Sequence, residues 1–285
     1  MDSKKYIAIL ITAAYLISLL WLSSVWYSTY IVFHFFDDVF EWEYLDKLGH
    51  FFASFHLGLF FYKIFGDPRN LNRSLQKKWF CFSGFLLLLP IEILDGFSLN
   101  YGASPADLLA NGLGGLFCYC YITFKVLSDT LPKFSFHTTT FGIIRPELLG
   151  SNIFQQTIKD YNGQTYWLLL DVNKILDTKI LPSWLMLTIG YGAEGLLGGH
   201  DNVWEAKGGE TKDYSSVART RRVFISIDIN ANNLREKSKL LNYLLAPLYY
   251  SNFPRRHLNS ILNEASSFIR FIFDRLRNSQ INSYW

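Results

Sequence analysis

The sequence is poor in charged residues and has no large excess of either charge. Only 18% of its 285 residues are charged, below the roughly 25% that is usual for soluble domains. The net charge of +3 is too small to predict a nucleic-acid partner. Half of the residues are hydrophobic and the mean hydropathy is +0.12, with the apolar excess concentrated in the first half. This distribution favours membrane segments over a larger soluble core.

Cysteine is also scarce, and its spacing excludes a zinc or redox pair. Cys118 and Cys120 are separated by one residue, and no second pair of cysteine or histidine accompanies them. Together with Cys81 they lie in apolar segments, which is typical of buried, inert thiols. Internal repeats and low-complexity tracts are absent from the sequence as well.

Four apolar runs in the first 130 residues have the length of membrane helices, since about 20 apolar residues span a bilayer. They cover residues 6–27, 48–65, 79–97 and 105–124. The first run is longer than the core of a secretory leader and lacks a cleavage pattern, so we interpret it as a retained anchor. We therefore predict a mainly α membrane protein, with a four-helix membrane bundle over residues 1–130.

After about residue 130 the pattern changes to short runs of aromatic and branched residues at 165–171, 184–191 and 223–228. Such runs indicate β-strands. We expect a smaller mixed α/β C-terminal region, with a strand-containing domain over residues 131–254. Residues 255–285 follow as a separate unit, in which an apolar stripe predicts an amphipathic helix from His257 to Arg277.

The distribution of lysine and arginine predicts an orientation. Lys4, Lys5 and the basic loop at 69–78 should be cytoplasmic, and the acidic segment 28–47 should lie outside. We expect a bacterial inner-membrane protein whose polar site faces the periplasm, with the lipid bilayer and other envelope proteins as partners. The outer membrane or periplasm is the alternative location.

One histidine and three carboxylates interrupt the apolar helices and are the main functional signal. Ionisable groups inside a membrane are costly, at about 2.5–3.5 kcal/mol for a central acid, and usually mark a site. This set has the chemistry to bind a hard divalent metal or to perform acid/base catalysis, although the sequence identifies no cofactor. The candidate residues are His50, Glu92, Asp95 and Asp107.

Five further polar residues are predicted to support this set. Two of them lie four positions after a candidate residue and therefore share its helix face. Two directly precede the second helix, and one precedes the fourth. These supporting residues are Asp46, Lys47, Ser54, Ser104 and Asn111.

The same residues also fit a purely structural interpretation. Ser104 is placed to cap the fourth helix, and Asp107 then faces the positive end of the helix dipole. His50 could donate a hydrogen bond to a carboxylate inside the bundle. The two acids of the third helix could pair with Lys47 and simply hold the helices together.

A glycine pattern from Gly190 to Gly195 satisfies G-x-G-x-x-G after a predicted strand. A dinucleotide site also needs a helix directly after this pattern. Gly198 and Gly199 interrupt any such helix, so we predict a glycine-rich turn and no nucleotide partner.

Several motifs resemble a known family. The stretch Lys-Asp-Tyr-Asn-Gly-Gln-Thr-Tyr-Trp at 159–167, Asp-Lys-x-x-His at 46–50 and Glu-x-x-Asp-Gly at 92–96 resemble the uncharacterised YfiM-type predicted periplasmic proteins. The long Bacteroidetes-type members are similar over roughly residues 20–254. The start and the Asp-x-x-x-Asn-x-x-Gly end of the helical part are also loosely similar to VanZ-like membrane proteins. The motif comprises Lys159, Asp160, Tyr161, Asn162, Gly163, Gln164, Tyr166 and Trp167.

The resemblance implies an envelope location but no activity. We predict a structural or assembly component of the envelope, in which the pocket of histidine and carboxylates fixes helix packing or binds a partner. The alternative is a membrane-embedded, metal-dependent hydrolase that acts on a lipid or lipid-linked envelope substrate.

Overall fold

The computed structural model describes residues 3–27, 29–66, 73–179, 181–206 and 208–229, and the predicted helix at 257–277 lies outside them. The described α-helices are α1 (Ser3–Trp26), α2 (Leu45–Phe65), α3 (Arg73–Gly96), α4 (Pro105–Thr123), α5 (Phe141–Ile144), α6 (Pro146–Leu149), α7 (Ile153–Lys159) and α8 (Val172–Ile175). The strands are β1 (Pro132–Phe136), β2 (Gln164–Leu170), β3 (Leu185–Glu194), β4 (Val203–Glu205), β5 (Thr211–Asp213) and β6 (Thr220–Ile229).

Four strands form one antiparallel sheet in the order β1-β2-β3-β6, and β4 pairs with β5 in a small second sheet. The register places Trp167 opposite Gly190. A side chain at Gly190 would overlap the indole ring, so the glycine lets Trp167 lie flat across the neighbouring strand. The Trp167 ring also packs against Phe224 of β6, with ring centroids 5.5 Å apart. These contacts hold the long strands in register.

Helix α2 is the element that the helices and the sheet share. One apolar cluster joins α2 to α3 and α4, and a second joins the start of α2 to the end of β3. The first cluster is built on Phe55, Leu59, Cys81 and Cys118, and the second on Leu45, Ala193 and Leu196. The cysteines in the first cluster are unpaired thiols. Side chains of the other helices and of the sheet therefore both determine the position of α2.

Glycines let α3 and α4 approach α2 closely. A methyl group at Gly84 of α3 would overlap the carbonyl oxygen of Ser54, and one at Gly114 of α4 would overlap that of Phe51. Small residues at helix contacts allow backbones to touch in this way. The close approach places the polar residues of α2 and α4 next to each other.

A strained turn leads into α2. Trp42, Glu43 and Tyr44 have φ values of 51°, 52° and 67°, a left-handed conformation that costs roughly 1–2 kcal/mol per residue outside glycine. The sheet layer holds the turn in place. The Trp42 amide donates to the Gly199 carbonyl at 2.9 Å, and the Tyr191 hydroxyl donates to the Glu43 carbonyl at 2.7 Å.

The prediction of a mainly α protein with a four-helix membrane bundle is wrong. Within its described residues the chain has eight α-helices, four of them with only four to seven residues, and two antiparallel sheets. By length and composition, one described helical segment, Ser74–Gly96, is long and apolar enough to cross a membrane. The apolar part of α1 covers only Ile9–Trp21, and α2 and α4 contain charged residues such as Lys47 and Asp107.

Gly84 and Gly112 form a matched pair for testing the close approach of α2 and α3. Gly84→Ala should destabilise the protein by about 1–3 kcal/mol, because the added methyl group overlaps the Ser54 carbonyl oxygen. Gly112→Ala meets nothing within 4 Å and should stabilise α4 by about 0.5–1 kcal/mol. Urea unfolding measures both changes, and equal effects would contradict the close contact.

His56 should make stability depend on pH. Its Nε2 lies 2.9 Å from the Pro132 carbonyl of β1, and burial lowers its pKa from 6.5 to about 4. Because the unfolded chain then binds more protons between these two values, stability should fall as the pH falls through this window. The loss amounts to about 3 kcal/mol. His56→Gln should remove this loss of stability. The free energy of unfolding should then differ less between neutral pH and pH 4 in the variant than in the wild type.

Candidate functional site

Lys47 lies at the centre of a buried group of carboxylates. Its Nζ is 2.8 Å from Asp38, 2.9 Å from Asp46 and 2.7 Å from Asp107. The lysine side chain is only 13% exposed. Burial alone would lower the pKa of Lys47, but the Asp46 and Asp107 carboxylates raise it above its usual range. The lysine is therefore a permanent cation at neutral pH.

His50 lies one turn further along α2 and faces the same carboxylates. Its Nδ1 is 3.3 Å from the Asn111 Oδ1, and its Nε2 is 3.8 Å from both Asp46 Oδ1 and Asp107 Oδ2. In the tautomer in which Nδ1 donates to Asn111, the Nε2 lone pair points toward two acids. That arrangement is favourable only when a proton or a metal ion lies between them.

The site shifts the pKa values of Asp46 and Asp107 in opposite directions. Burial would raise the pKa of Asp46, but the charges of His50 and Lys47 and the Tyr161 hydroxyl hold it below its usual value. Burial, reinforced by the Asp46 charge, raises the pKa of Asp107 to about 9. Like charges so close together favour retention of a proton on one of the two groups. Asp107 is the group that retains it, and a cation binding here would replace that proton.

Glu92 reaches the site from α3. Its side chain is 2% exposed, and its Oε1 lies 3.4 Å from His50 Nδ1. Neither carboxylate oxygen has a hydrogen-bond partner among the described residues. The same is true of the buried Asn111 Nδ2 in this part of the chain. Leaving a buried polar group without a partner costs about 1–3 kcal/mol, so a ligand that bound beside Glu92 and Asn111 would gain by pairing with them.

Ser104 positions the acids that come from outside α2. It caps α4, because its Oγ accepts a hydrogen bond from the Asp107 amide at 3.1 Å. The same hydroxyl donates to Asp38 Oδ1 at 2.5 Å. The predicted helix cap is therefore present, and it also ties the segment before α2 to the start of α4.

The motif at 159–167 connects the sheet to the site. The Tyr161 hydroxyl donates to Asp46 Oδ1 at 2.6 Å. Asp160 accepts a hydrogen bond from the Asn162 side chain at 2.8 Å, and Asn162 in turn accepts one from the Leu196 amide at 2.7 Å. These bonds fix the short turn that carries Tyr161, so the position of Asp46 depends on the sheet layer.

The remaining motif residues have structural partners. The Gln164 side chain donates to the Thr157 and Ile158 carbonyls, and the Tyr166 hydroxyl donates to Gln164 at 2.9 Å. Trp167 donates to Ser135 at 2.8 Å. Lys159 ends α7, and Gly163 lies so close to the His137 carbonyl that a side chain there would overlap it.

The structure brings together most of the predicted site residues. His50, Glu92 and Asp107 meet with Asp46, Lys47 and Asn111, and the Ser54 hydroxyl supports Asn111 by donating to its carbonyl at 2.6 Å. Asp95 accepts a hydrogen bond from the Tyr27 hydroxyl and also interacts electrostatically with His50 and Asp46.

The expected pairing of Lys47 with Glu92 or Asp95 does not occur in the described part of the chain. Lys47 forms ion pairs with acids from α2, α4 and the segment before α2.

Two members of the site were not predicted as site residues. Asp38 belongs to an acidic, aromatic segment, and its burial beside exposed Asp37 was not evident from the sequence. Tyr161 is part of the motif at 159–167, but 115 positions separate it from Asp46, and no spacing rule relates the two.

Three of these residues form a candidate metal-binding triad. Ligand atoms of Asp46, His50 and Asp107 all lie within 4.8 Å of one another. One imidazole nitrogen and two carboxylates are suitable ligands for ions such as Mn²⁺ and Zn²⁺.

Comparison with known proteins adds no assignment. No family model matches the chain, and no curated protein or solved structure is significantly similar to it. The resemblance to YfiM-type proteins therefore stays a prediction.

Tyr161→Phe tests the link between the motif and the site. Loss of the hydroxyl should destabilise the protein by about 1.5–3 kcal/mol, because its acceptor Asp46 is ionised. The matched control Tyr166→Phe removes a bond to the neutral Gln164 and should cost about 0.5–1.5 kcal/mol. Urea unfolding measures both. If Tyr161→Phe cost as much in an Asp46→Asn background as in the wild type, the link would not exist.

Proposed function

We propose that this chain binds one divalent cation through Asp46, His50 and Asp107, and that it is a non-catalytic component of the bacterial envelope. The cation fixes the junction between the helices and the sheet. The observation that supports this proposal is the convergence of ligand atoms of Asp46, His50 and Asp107 within 4.8 Å of one another.

Four acids converge at the described site, Asp38, Asp46, Glu92 and Asp107, and only Lys47 and His50 can bring positive charge. Burial raises the pKa of Glu92 to about 8 and that of Asp107 to about 9, so both acids retain their protons at neutral pH when no metal is bound. Buried charges are usually paired or coordinate metals, and a single divalent cation would replace these two protons.

The donor atoms suit a metal ion. The Asn111 side chain holds His50 in the tautomer that presents Nε2, which is how histidine ligands are commonly oriented. The Tyr161 hydroxyl gives the same support to Asp46. Glu92, buried beside His50 and without a hydrogen bond in the described residues, could contribute a further oxygen.

A cation at this position would join three parts of the fold. Asp46 and His50 belong to α2, Asp107 belongs to α4, and Asp46 is tied to the sheet through Tyr161. This arrangement supports a structural role, because every ligand is fixed by a neighbour.

An envelope setting is supported by the outer surface of α1. Apolar residues there are well exposed, with Leu10 at 69%, Ile17 at 66% and Leu20 at 72%. Such surface suits a lipid bilayer or another envelope protein.

Metal binding has a direct test. We expect isothermal titration with Mn²⁺ or Zn²⁺ to show one site per chain, and a cation at about a hundred times its Kd to stabilise the fold by about 2.7 kcal/mol. His50→Ala and Asp107→Asn should each weaken binding at least tenfold. Glu147→Gln, which removes an exposed acid paired with Arg145 elsewhere, is the control and should leave the affinity unchanged. Absence of binding by the wild type would refute the proposal.

A second candidate function, metal-dependent hydrolysis, is favoured by one observation. A cavity of about 450 Å³ borders Asp38 and Ser104 and is otherwise lined mainly by apolar groups, among them Phe35, Phe36 and Val39. Cavities of this size accommodate small-molecule ligands. An acyl chain of a lipid or lipid-linked substrate would fit the apolar part and place a polar bond near the acids.

Hydrolysis of a long-chain nitrophenyl ester separates the two candidates. Turnover that requires Mn²⁺ and is lost in Asp107→Asn would favour the enzyme. A protein that binds Mn²⁺ and shows no turnover of this ester would favour the non-catalytic role.

A further inference from the structure

We infer that Lys47 regulates this site as a built-in competitor for the cation. The inference rests on the proposed cation site and adds the condition under which a cation can enter it. In the structure the Lys47 ammonium occupies the space between the carboxylates, and a divalent cation binds only when it displaces the ammonium.

The lysine and the proposed metal bind the same two acids: Lys47 Nζ contacts Asp46 Oδ2 and Asp107 Oδ1, and His50 Nε2 faces the other oxygen of each carboxylate. Two of the three acids that contact Lys47, Asp46 and Asp107, are also members of the candidate triad. A divalent cation bound between these acids would lie within a few ångströms of the ammonium group. Like charges at that separation repel strongly, and in a buried site the repulsion is little screened. The two cations therefore exclude each other.

Asp38, the third partner of Lys47, can keep its ion pair with the ammonium when the ammonium leaves the triad. Asp38 is not part of the triad, and its Oδ2 lies 2.8 Å from Lys47 Nζ. Asp38 also borders the cavity of about 450 Å³, whose lining includes the exposed carboxylate of Asp37. The flexible lysine stem allows the head group to remain with Asp38 and turn toward Asp37 when the metal enters.

Competition of this kind sets the affinity and the selectivity of the site. The apparent Kd rises by the inverse of the fraction of molecules in which the ammonium has left the triad. A monovalent ion gains nothing over an ammonium of equal charge, whereas a divalent ion does. Lys47 thus makes the site respond only to divalent cations, and only above a threshold concentration.

Neutral substitutions at Lys47 test the inference. Lys47→Met and Lys47→Gln remove the competing charge, and we expect each to bind Mn²⁺ at least tenfold more tightly than the wild type in isothermal titration. Lys47→Arg keeps the charge and should bind as weakly as the wild type. Lys133→Met is the matched control, because it removes a lysine that pairs with Asp228 outside the site. Its affinity should be unchanged.

The outcomes distinguish the inference from the proposal on which it rests. Unchanged or weaker binding in the neutral variants, with a wild type that binds, would overturn the competitor role and leave the metal site standing. No binding by any variant would overturn both. If neither neutral variant folds, the ¹⁵N signal of the Lys47 ammonium in the wild type decides. It should shift when Zn²⁺ is added, and an unchanged signal in Zn²⁺-loaded protein would overturn the inference.

Discussion

The Lys47 ammonium contacts carboxylates from three parts of the chain, and the geometry of the site follows from those contacts. Asp38 comes from the segment before α2, Asp46 from the first turn of α2, and Asp107 from the first turn of α4. Removing one partner of a buried ion pair usually costs about 3–5 kcal/mol, because the remaining charge is stranded. The cluster therefore constrains how α2 and α4 meet, while Glu92 brings α3 to the same place.

The sheet layer holds the start of α2 from the other side. The left-handed turn at 42–44 is unfavourable by itself, and bonds from Gly199 and Tyr191 stabilise it. Arg219 and Arg221 add ion pairs to Glu43 at 3.3 Å and 2.7 Å. Since Tyr161 also donates to Asp46, the sheet controls both the entry of the chain into α2 and the orientation of one proposed ligand. A strained segment beside a charged site is typical of functional regions.

Local patterns in the sequence predict the long helices and the three long strands at nearly their observed positions, because hydrophobic runs and periodicity are local signals. These local patterns do not predict how the helices and strands pack against one another. Apolar length suggested four membrane helices, yet α2 uses its apolar side against the sheet as well as against α3 and α4. Helical spacing brought His50 and Asn111 into the candidate site. It could not reveal that Asp38 belongs there or that Asp95 turns to Tyr27, since both depend on contacts between distant segments.

Anomalous diffraction from crystals soaked in Mn²⁺ is the most direct measurement of whether a metal ion binds between the buried acids and His50. The account predicts a single strong peak within coordination distance of Asp46, Asp107 and His50 Nε2, with the Lys47 head group moved away from Asp107. A protein that shows no peak at this position, with the ammonium still between the three carboxylates at high Mn²⁺ concentration, would contradict it.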